Sequence, residues 1–304
     1  MQFFYIYKPL AHPELNNFVS PFSIEERLMH VAEAKRLLGT SVNWLADTMD
    51  NVYHDIVGRT PNSEIILDNN GVLVARRAWS DPAALRLDME RLVGAVDHPT
   101  RITDLNLPAQ PPIPTVAKGI VPRVPLPAGA MPMAIEPQTN SSGIPFYAKL
   151  RAEATRELFD TGKGEMYIGF HLDPLYRVHW NNEVDPVEFQ ITAPDGISVT
   201  PAYGVAIDPE EPADADPREF IVQVDAKNLS QPLDLRVQYF ACDDALTFCI
   251  PVRQDYKVHL RQDEHHGWSM RMNPARTRMR KRRATLHRLS LIHISEPTRP
   301  SRSS

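Results

Sequence analysis

Hydrophobic and polar positions in residues 1–97 follow short periodic blocks, and each block predicts one helix or one strand. Strands are predicted at 2–8, 42–46, 64–68 and 72–77, and helices at 24–38, 51–57 and 82–93. Ser23, followed three positions later by Glu26, is a capping box that opens the first helix, and Gly39 ends it. The turn at 69–71 reads Asn-Asn-Gly, which is typical of a hairpin. The predicted order is therefore βαβαββα.

After residue 165 the pattern becomes strict alternation in short runs that are separated by turn residues, as in antiparallel sheets. Strands are predicted at 166–172, 176–180, 187–191, 197–200, 220–225, 233–240 and 250–260. Before them, the spacing of Leu150, Ala154 and Leu158 predicts a short helix within 147–159. Seven or eight short strands with regular turns indicate an immunoglobulin-like sandwich.

Prolines separate the two patterns. Of the 28 prolines, ten lie between Pro99 and Pro137, which predicts an extended linker with little helix or strand. The expected organisation is an α/β domain at 1–97, a linker at 98–138, an all-β domain at 139–272 and a basic disordered tail at 273–304.

Charge and hydropathy narrow the possible partners. The net charge is −5, yet residues 276–304 hold nine Lys or Arg and one acid, so the rest of the chain is strongly acidic. An acidic body argues against nucleic acid as the main partner. No run of about 18 apolar residues predicts a membrane span. Met1–Tyr7 is strand-like and lacks the pattern of a signal peptide. The run 289–300 resembles the translation of a sequencing-library adapter, so residues 289–304 are not expected to belong to the folded protein.

The two cysteines of the chain, Cys242 and Cys249, lie at either side of a predicted hairpin loop. Residues that face each other across antiparallel strands have Cα atoms ~4.5–5.5 Å apart, which a disulfide can bridge. Three states are open: a redox-active pair, a structural disulfide, or two free buried thiols. Asp243 and Asp244 would raise a thiol pKa, and Arg253 could offset them, so the pair is expected to be attacked rather than to attack.

Other candidate residues point to less specific chemistry. The run 263–266, Asp-Glu-His-His, has the ligand types of a metal site together with His259, but adjacent histidines on an extended chain point in opposite directions. We interpret this run as a solvated loop and predict no metal and no cofactor. His171 and His179 are interpreted as ordinary residues of a sandwich face.

The first 94 residues carry a family resemblance. The matching stretches are Phe4–Tyr7, Asp47–Asn51 and Ile65–Leu67 with Gly71. They resemble the iodothyronine deiodinase branch of the thioredoxin-like superfamily. The resemblance implies a thioredoxin-like domain truncated before its first strand and helix, whose catalytic cysteine or selenocysteine would lie upstream of residue 1. It also places His12 beside that missing group and gives Pro61 the position of the cis-proline next to the active site.

The second half resembles another family. The matching stretches are Asp173–Tyr176, Tyr239–Cys242 and Phe248–Pro251, within residues 165–262. They resemble the N-terminal periplasmic domain of the transmembrane thiol:disulfide interchange reductases. That domain is an immunoglobulin-like sandwich whose two cysteines relay electrons. The resemblance implies a thioredoxin-like redox partner and an exported, periplasmic location.

Taken together, these features predict thiol–disulfide exchange through Cys242 and Cys249, coupled to a thioredoxin-like domain. Two alternatives stay open. The sandwich could be a non-enzymatic binding module with a structural disulfide, or an accessory domain of a redoxin-like or deiodinase-like enzyme. Whether the chain is itself a thiol:disulfide oxidoreductase is left open at this point.

Overall fold

The computed structural model describes residues 1–10, 18–58, 60–100, 104, 117–138 and 143–263. These residues divide into two compact units. The N-terminal unit contains the described residues between positions 1 and 11 and between 30 and 111. The β-rich unit contains those between 12 and 29 and between 112 and 272.

The helices and strands of the first hundred residues lie within two positions of those predicted. They are β1 (Phe4–Tyr7), α1 (Ile24–Leu38), β2 (Asn43–Ala46), α2 (Val52–Val57), β3 (Glu64–Leu67), β4 (Leu73–Arg77) and α3 (Pro82–Val93). Local signals explain their ends. The Asp81 carboxylate accepts hydrogen bonds from the N–H groups of Ala83 and Ala84 and so caps α3. Gly58 ends α2 with a φ of 90°, which glycine adopts at little cost.

The strands of the N-terminal unit form two separate pairs. Strand β1 pairs in parallel with β2, and β3 pairs with β4 as an antiparallel hairpin. A thioredoxin-like domain would join these strands in a single sheet, so the finer fold assignment stays a proposal. Many large apolar side chains of this unit are exposed: Phe3, Phe4, Leu45, Val52, Ile56, Leu67, Val72, Leu73, Trp79, Leu87, Leu92, Val93 and Val96.

The β-rich unit contains most of the regular structure. Its elements are β5 (Met131–Gln138), β6 (Ala148–Ala154), α4 (Arg156–Thr161), β7 (Lys163–Leu172), a 3-10 turn (Pro174–Tyr176), β8 (Val178–Asn181), β9 (Glu188–Thr192), β10 (Ile197–Thr200), β11 (Tyr203–Val205), β12 (Ala213–Asp214), β13 (Arg218–Ala226), β14 (Leu233–Asp243) and β15 (Cys249–Gln262). The strands are hydrogen-bonded in the order β10-β13-β7-β6-β5-β15-β14-β8-β12, and β9 and β11 extend from β14.

The sheet has two halves, β10-β13-β7-β6-β5 and β5-β15-β14-β8-β12 with β9 and β11, and β5 belongs to both. The two halves face each other across one hydrophobic core. The rings of Phe189 on β9 and Phe220 on β13 are 4.7 Å apart, although their strands lie in different halves. The Tyr239 hydroxyl of β14 accepts a hydrogen bond of 3.1 Å from the N–H of Ala148 on β6. Side chains of both halves are almost fully buried, among them Ile168, Phe170, Val222, Leu235, Val237 and Val258.

The predicted linker is shorter than expected. Residues 131–138 form β5, despite two prolines. Before it, the buried Asp216 carboxylate accepts hydrogen bonds from the N–H groups of Lys118, Gly119 and Val121. The last part of the predicted linker is therefore built into the β-rich unit.

The helix predicted within 147–159 is wrong for most of its length. Residues 148–154 form β6, and α4 starts only at Arg156. Strand β6 is flanked by β5 and β7, and nearly all of its side chains are buried on both faces. A strand buried on both faces loses its alternation, so three apolar residues at four-residue spacing mimicked a helix. No described helix combines the length and apolar character that a membrane span requires.

Candidate functional site

The two cysteines meet at the end of the hairpin formed by β14 and β15. Cys242 lies directly opposite Cys249 in the strand register, and their Cα atoms are 4.0 Å apart. The two sulfurs form a disulfide, and the described residues contain no free cysteine. Of the three states that the sequence leaves open, free thiols are therefore not what the structure contains.

The disulfide lies on the outer face of the sheet. Along β14, Leu235, Val237 and Tyr239 point into the core, and the residues between them are less buried. Because side chains alternate between faces, Cys242 belongs to the outward-facing set. Cys249 belongs to the corresponding set of β15. The bond therefore does not contribute to core packing.

The two sulfur-bearing residues differ in accessibility. Cys242 is only 5% exposed although it lies on the outer face, whereas Cys249 is classed as exposed. The neighbouring strand β8 accounts for the difference, because His179 lies directly opposite Cys242 in the register. Asn181, two residues further along, donates a hydrogen bond from Nδ2 to the Cys249 sulfur at 3.5 Å. Cys249 is therefore the more exposed residue of the pair.

The loop between the cysteines is ordered by Asp243. Its carboxylate accepts hydrogen bonds from the N–H groups of Thr247 and Phe248, at 2.6 and 2.9 Å, and from the Thr247 hydroxyl at 2.7 Å. The backbone hydrogen bond from Phe248 leads in holding the Asp243 pKa below its usual value. At the loop tip, Leu246 adopts a φ of 58° and is 84% exposed. The loop presents one apolar side chain beside the accessible sulfur.

His179 forms a pair with Asp244 next to the disulfide. The distance from Nδ1 of His179 to Oδ1 of Asp244 is 3.1 Å. The sequence predicts only an ordinary face residue at this position. It does not reveal that His179 lies opposite Cys242, because that depends on a pairing between strands about sixty residues apart. The expected role of Arg253 is wrong. It lies opposite Gln238, several pairs away from the cysteines, and approaches Asp255 at 3.5 Å.

Aromatic rings pack below the cysteine loop. The centroid of Phe248 is 5.9 Å from that of Tyr147, which in turn is 5.3 Å from Tyr176. Burial is the main cause of a raised Tyr147 pKa, and the charge of Asp243 adds to it. These rings connect the loop to the 3-10 turn that follows Asp173.

A buried charge cluster lies at that turn. The Lys149 ammonium pairs with Glu26 and is 3.9 Å from Asp173, and the side chains of all three are less than a tenth exposed. The Tyr176 hydroxyl donates to Glu26 at 2.9 Å. Burial raises the pKa of Asp173 to about 6, because it outweighs the attraction of Lys149. Burial also lowers the Lys149 pKa, so desolvation has the same leading role for both partners.

Of the other predicted site residues, Pro61 lies in the N-terminal unit. Pro61 is exposed, and the cis peptide bond among the described residues is Thr200–Pro201. The cis bond expected before Pro61 is therefore not observed, in line with the usual trans preference of X–Pro bonds. His12 lies outside the described residues.

Of the predicted metal-type run, residues 264–266 also lie outside the described part of the chain. His259 is 3.3 Å from the carboxylate of Glu136. Among the described residues, no group of three or more His, Cys, Asp or Glu is arranged to hold a metal ion.

Comparison with known proteins adds no assignment. The chain matches no protein-family model, no curated protein and no solved structure.

Proposed function

We propose that the protein carries out thiol–disulfide exchange through the Cys242–Cys249 bond. The observation that carries this proposal is the unequal exposure of the two cysteines on the outer face of the sheet. Exchange requires a thiolate to reach one sulfur of the disulfide, and access is one of the factors that set its rate. Here the exposed Cys249 is the sulfur to be attacked, and the covered Cys242 is the one that leaves.

The exchange proceeds through a mixed disulfide. A partner thiolate attacks Sγ of Cys249, the Cys242–Cys249 bond breaks, and Cys242 leaves as a thiolate. A second thiol of the partner then attacks the partner sulfur in the mixed disulfide and releases Cys249. The partner dithiol is oxidised to a disulfide and both cysteines are reduced, so two electrons pass to this chain. In the reverse direction they pass to an acceptor.

The proposed partner is a thioredoxin-like protein, and the proposed location is an exported, periplasmic-type compartment. A disulfide persists in such oxidising surroundings, and it is rare in the reducing cytosol. We further propose that the β-rich unit is an immunoglobulin-like sandwich and that the N-terminal unit is thioredoxin-like. Its element order and the parallel pairing of β1 with β2 support the latter.

Trapping tests the proposal. The variant Cys242→Ser keeps the exposed Cys249, and Cys249→Ser is the matched control that keeps only the covered sulfur. Each is mixed with a thioredoxin whose resolving cysteine has been replaced and whose remaining thiol is activated as a disulfide. We expect a covalent adduct with Cys242→Ser and much less with Cys249→Ser, measured by mass spectrometry. Equal, negligible labelling of both variants would contradict exchange.

A binding module with a structural disulfide is the second candidate. The hydrogen bonds of Asp243 to Thr247 and Phe248 favour it, because they give the loop a fixed shape without any redox role. The reduction potential separates the two functions. Structural disulfides lie below about −300 mV, and exchanging ones lie higher. A value below that limit would favour the binding module.

A further inference from the structure

We propose that His179 is the proton donor for the departing Cys242 thiolate when a thiol attacks Cys249. This inference rests on the proposed function for its biological setting, because it names a residue that assists the same exchange. It goes further because it names the side chain that neutralises the negative charge of the leaving sulfur. That side chain lies on a strand that contains neither cysteine.

The strand register places His179 directly beside Cys242, the less exposed cysteine. Cys249, Cys242 and His179 occupy directly opposite positions on three adjacent strands, β15, β14 and β8. Side chains at such positions point to the same face, with Cβ atoms ~4.5–5.5 Å apart. The His179 side chain is 17% exposed, so water screens it less than a free surface histidine. The leaving sulfur therefore departs next to a ring that can carry a proton.

Asp244 orients the imidazole ring of His179 for proton donation. Its carboxylate lies 3.1 Å from Nδ1 of His179, and this contact orients the ring. The bond at Nδ1 leaves Nε2–H as the donor for sulfur. Asp244 is itself held in place, because its N–H donates to the carbonyl oxygen of Arg177 at 2.9 Å. The pair is thus anchored to the backbone that leads into β8.

The other charged groups around His179 have partners of their own. On β14, Asp243 lies opposite Val178, and its carboxylate binds the loop N–H groups described above. On β12, Asp214 lies opposite the residue after His179, and it is 2.7 Å from Arg218. Arg177 lies two residues before the histidine and contributes the carbonyl oxygen to Asp244. In the described part of the chain, Asp244 is the carboxylate recorded in contact with this imidazole.

The proton balance of the step is simple. As the attacking thiolate bonds to Sγ of Cys249, the electron pair of the old disulfide moves to Sγ of Cys242. The imidazolium of His179 gives its proton to that sulfur, so Cys242 leaves as a neutral thiol and His179 becomes neutral. Water then reprotonates the ring. Proton transfer of this kind accelerates reactions by typically ~10²–10⁴-fold, less where the leaving group is already a good one.

The test is the pH dependence of disulfide reduction in the full chain. Reduction by dithiothreitol is followed between pH 5.5 and 8.5 by alkylation and mass spectrometry, and rates are divided by the thiolate concentration. For the wild type, we expect this normalised rate to be higher at the acidic end of the range than at the alkaline end. His179→Gln should react at least about tenfold more slowly at pH 6 and show a flat profile. His259→Gln is the control. It removes a histidine of β15 that pairs with a different carboxylate, Glu136, and it should behave as wild type.

Asp244→Asn is the second variant, and it keeps the imidazole. It should lower the normalised rate at pH 6, since the carboxylate that orients the imidazole is lost. A wild-type profile in both His179→Gln and Asp244→Asn overturns the inference. Because the reagent is a small thiol, this result is independent of any protein partner. Loss of adduct in the trapping experiment, with the pH effect of His179 intact, would overturn the proposed function alone.

Discussion

The two units of this chain differ in how well the sequence predicts their elements and in how far they bury their apolar side chains. In the N-terminal unit, caps, glycine stops and an Asn-Gly turn define elements almost to the residue, yet many large apolar side chains stay exposed. In the β-rich unit, local patterns missed four strands, β5, β6, β11 and β12, yet a continuous core is buried between the halves of the sheet. Local signals therefore decide where elements begin and end, whereas burial between distant strands decides where stability resides.

The largest expected effect comes from a core truncation in the β-rich unit. Phe170→Ala removes a fully buried ring and should lower the free energy of unfolding by about 3–5 kcal/mol. Leu87→Ala on α3 is the matched change in the N-terminal unit, where the side chain is 66% exposed, and it should change stability by less than about 0.5 kcal/mol. Urea unfolding followed by hydrogen exchange of each unit measures both. Similar losses would remove the contrast between the units.

A pH dependence should distinguish the β-rich unit. The Asp173 pKa of about 6 lies above its value in an unfolded chain, so the folded state binds a proton that the unfolded state releases between about pH 4 and 6. The free energy of unfolding should therefore rise by on the order of 2 kcal/mol as the pH falls through 6, and it should level off near pH 4. Asp173→Asn should abolish this contribution, as seen in the difference between wild-type and variant urea midpoints. A difference that stays constant with pH would contradict the assignment.

Reduction of the disulfide should have a smaller effect on the same unit. A closed loop of about eight residues contributes at most about 2.5 kcal/mol in the chain-entropy model. The paired strands already hold the ends together, so we expect about 1 kcal/mol. Cys242→Ser/Cys249→Ser, compared with the oxidised wild type in urea, measures it. A loss well above the model limit would identify a structural bond and favour the binding module.

A helix cap in the N-terminal unit should have an effect no larger than that of the disulfide. Asp81→Ala removes the side chain that accepts from Ala83 and Ala84, which should cost about 1 kcal/mol within that unit. Glu90→Ala, at an exposed position of the same helix, is the control. Hydrogen exchange of α3 peptides reports the change. If neither variant changes the hydrogen exchange of α3, the Asp81 cap does not stabilise this helix.

Particular residues explain which parts of the structure could be predicted. Ser23, Gly58 and Asp81 act on their own neighbours, so the elements they delimit were confirmed within two positions. Strand β5 was missed because Pro132 and Pro137 are atypical of strands, although both lie in the register of the sheet. The separation of β1–β2 from β3–β4 is a matter of long-range pairing, which short windows do not contain.

The same distinction applies to the candidate site. The hairpin and the facing cysteines were predicted, because both strands and the loop lie within thirty residues. The position of His179 was not, because β8 reaches β14 only through the folded sheet. The unequal exposure of the cysteines depends on that strand as well. Partners on the same hairpin are visible in the sequence, and partners on a third strand are not.

The outward position of the disulfide has a consequence for how this protein can vary. Residues that fill the interior and residues that surround the sulfurs lie on opposite sides of the same two strands. Substitutions around Cys242 and Cys249 can therefore tune the reactivity of the pair without repacking the interior. The hairpin could be redesigned, or its outer positions transplanted to another sheet, with the scaffold left as it is.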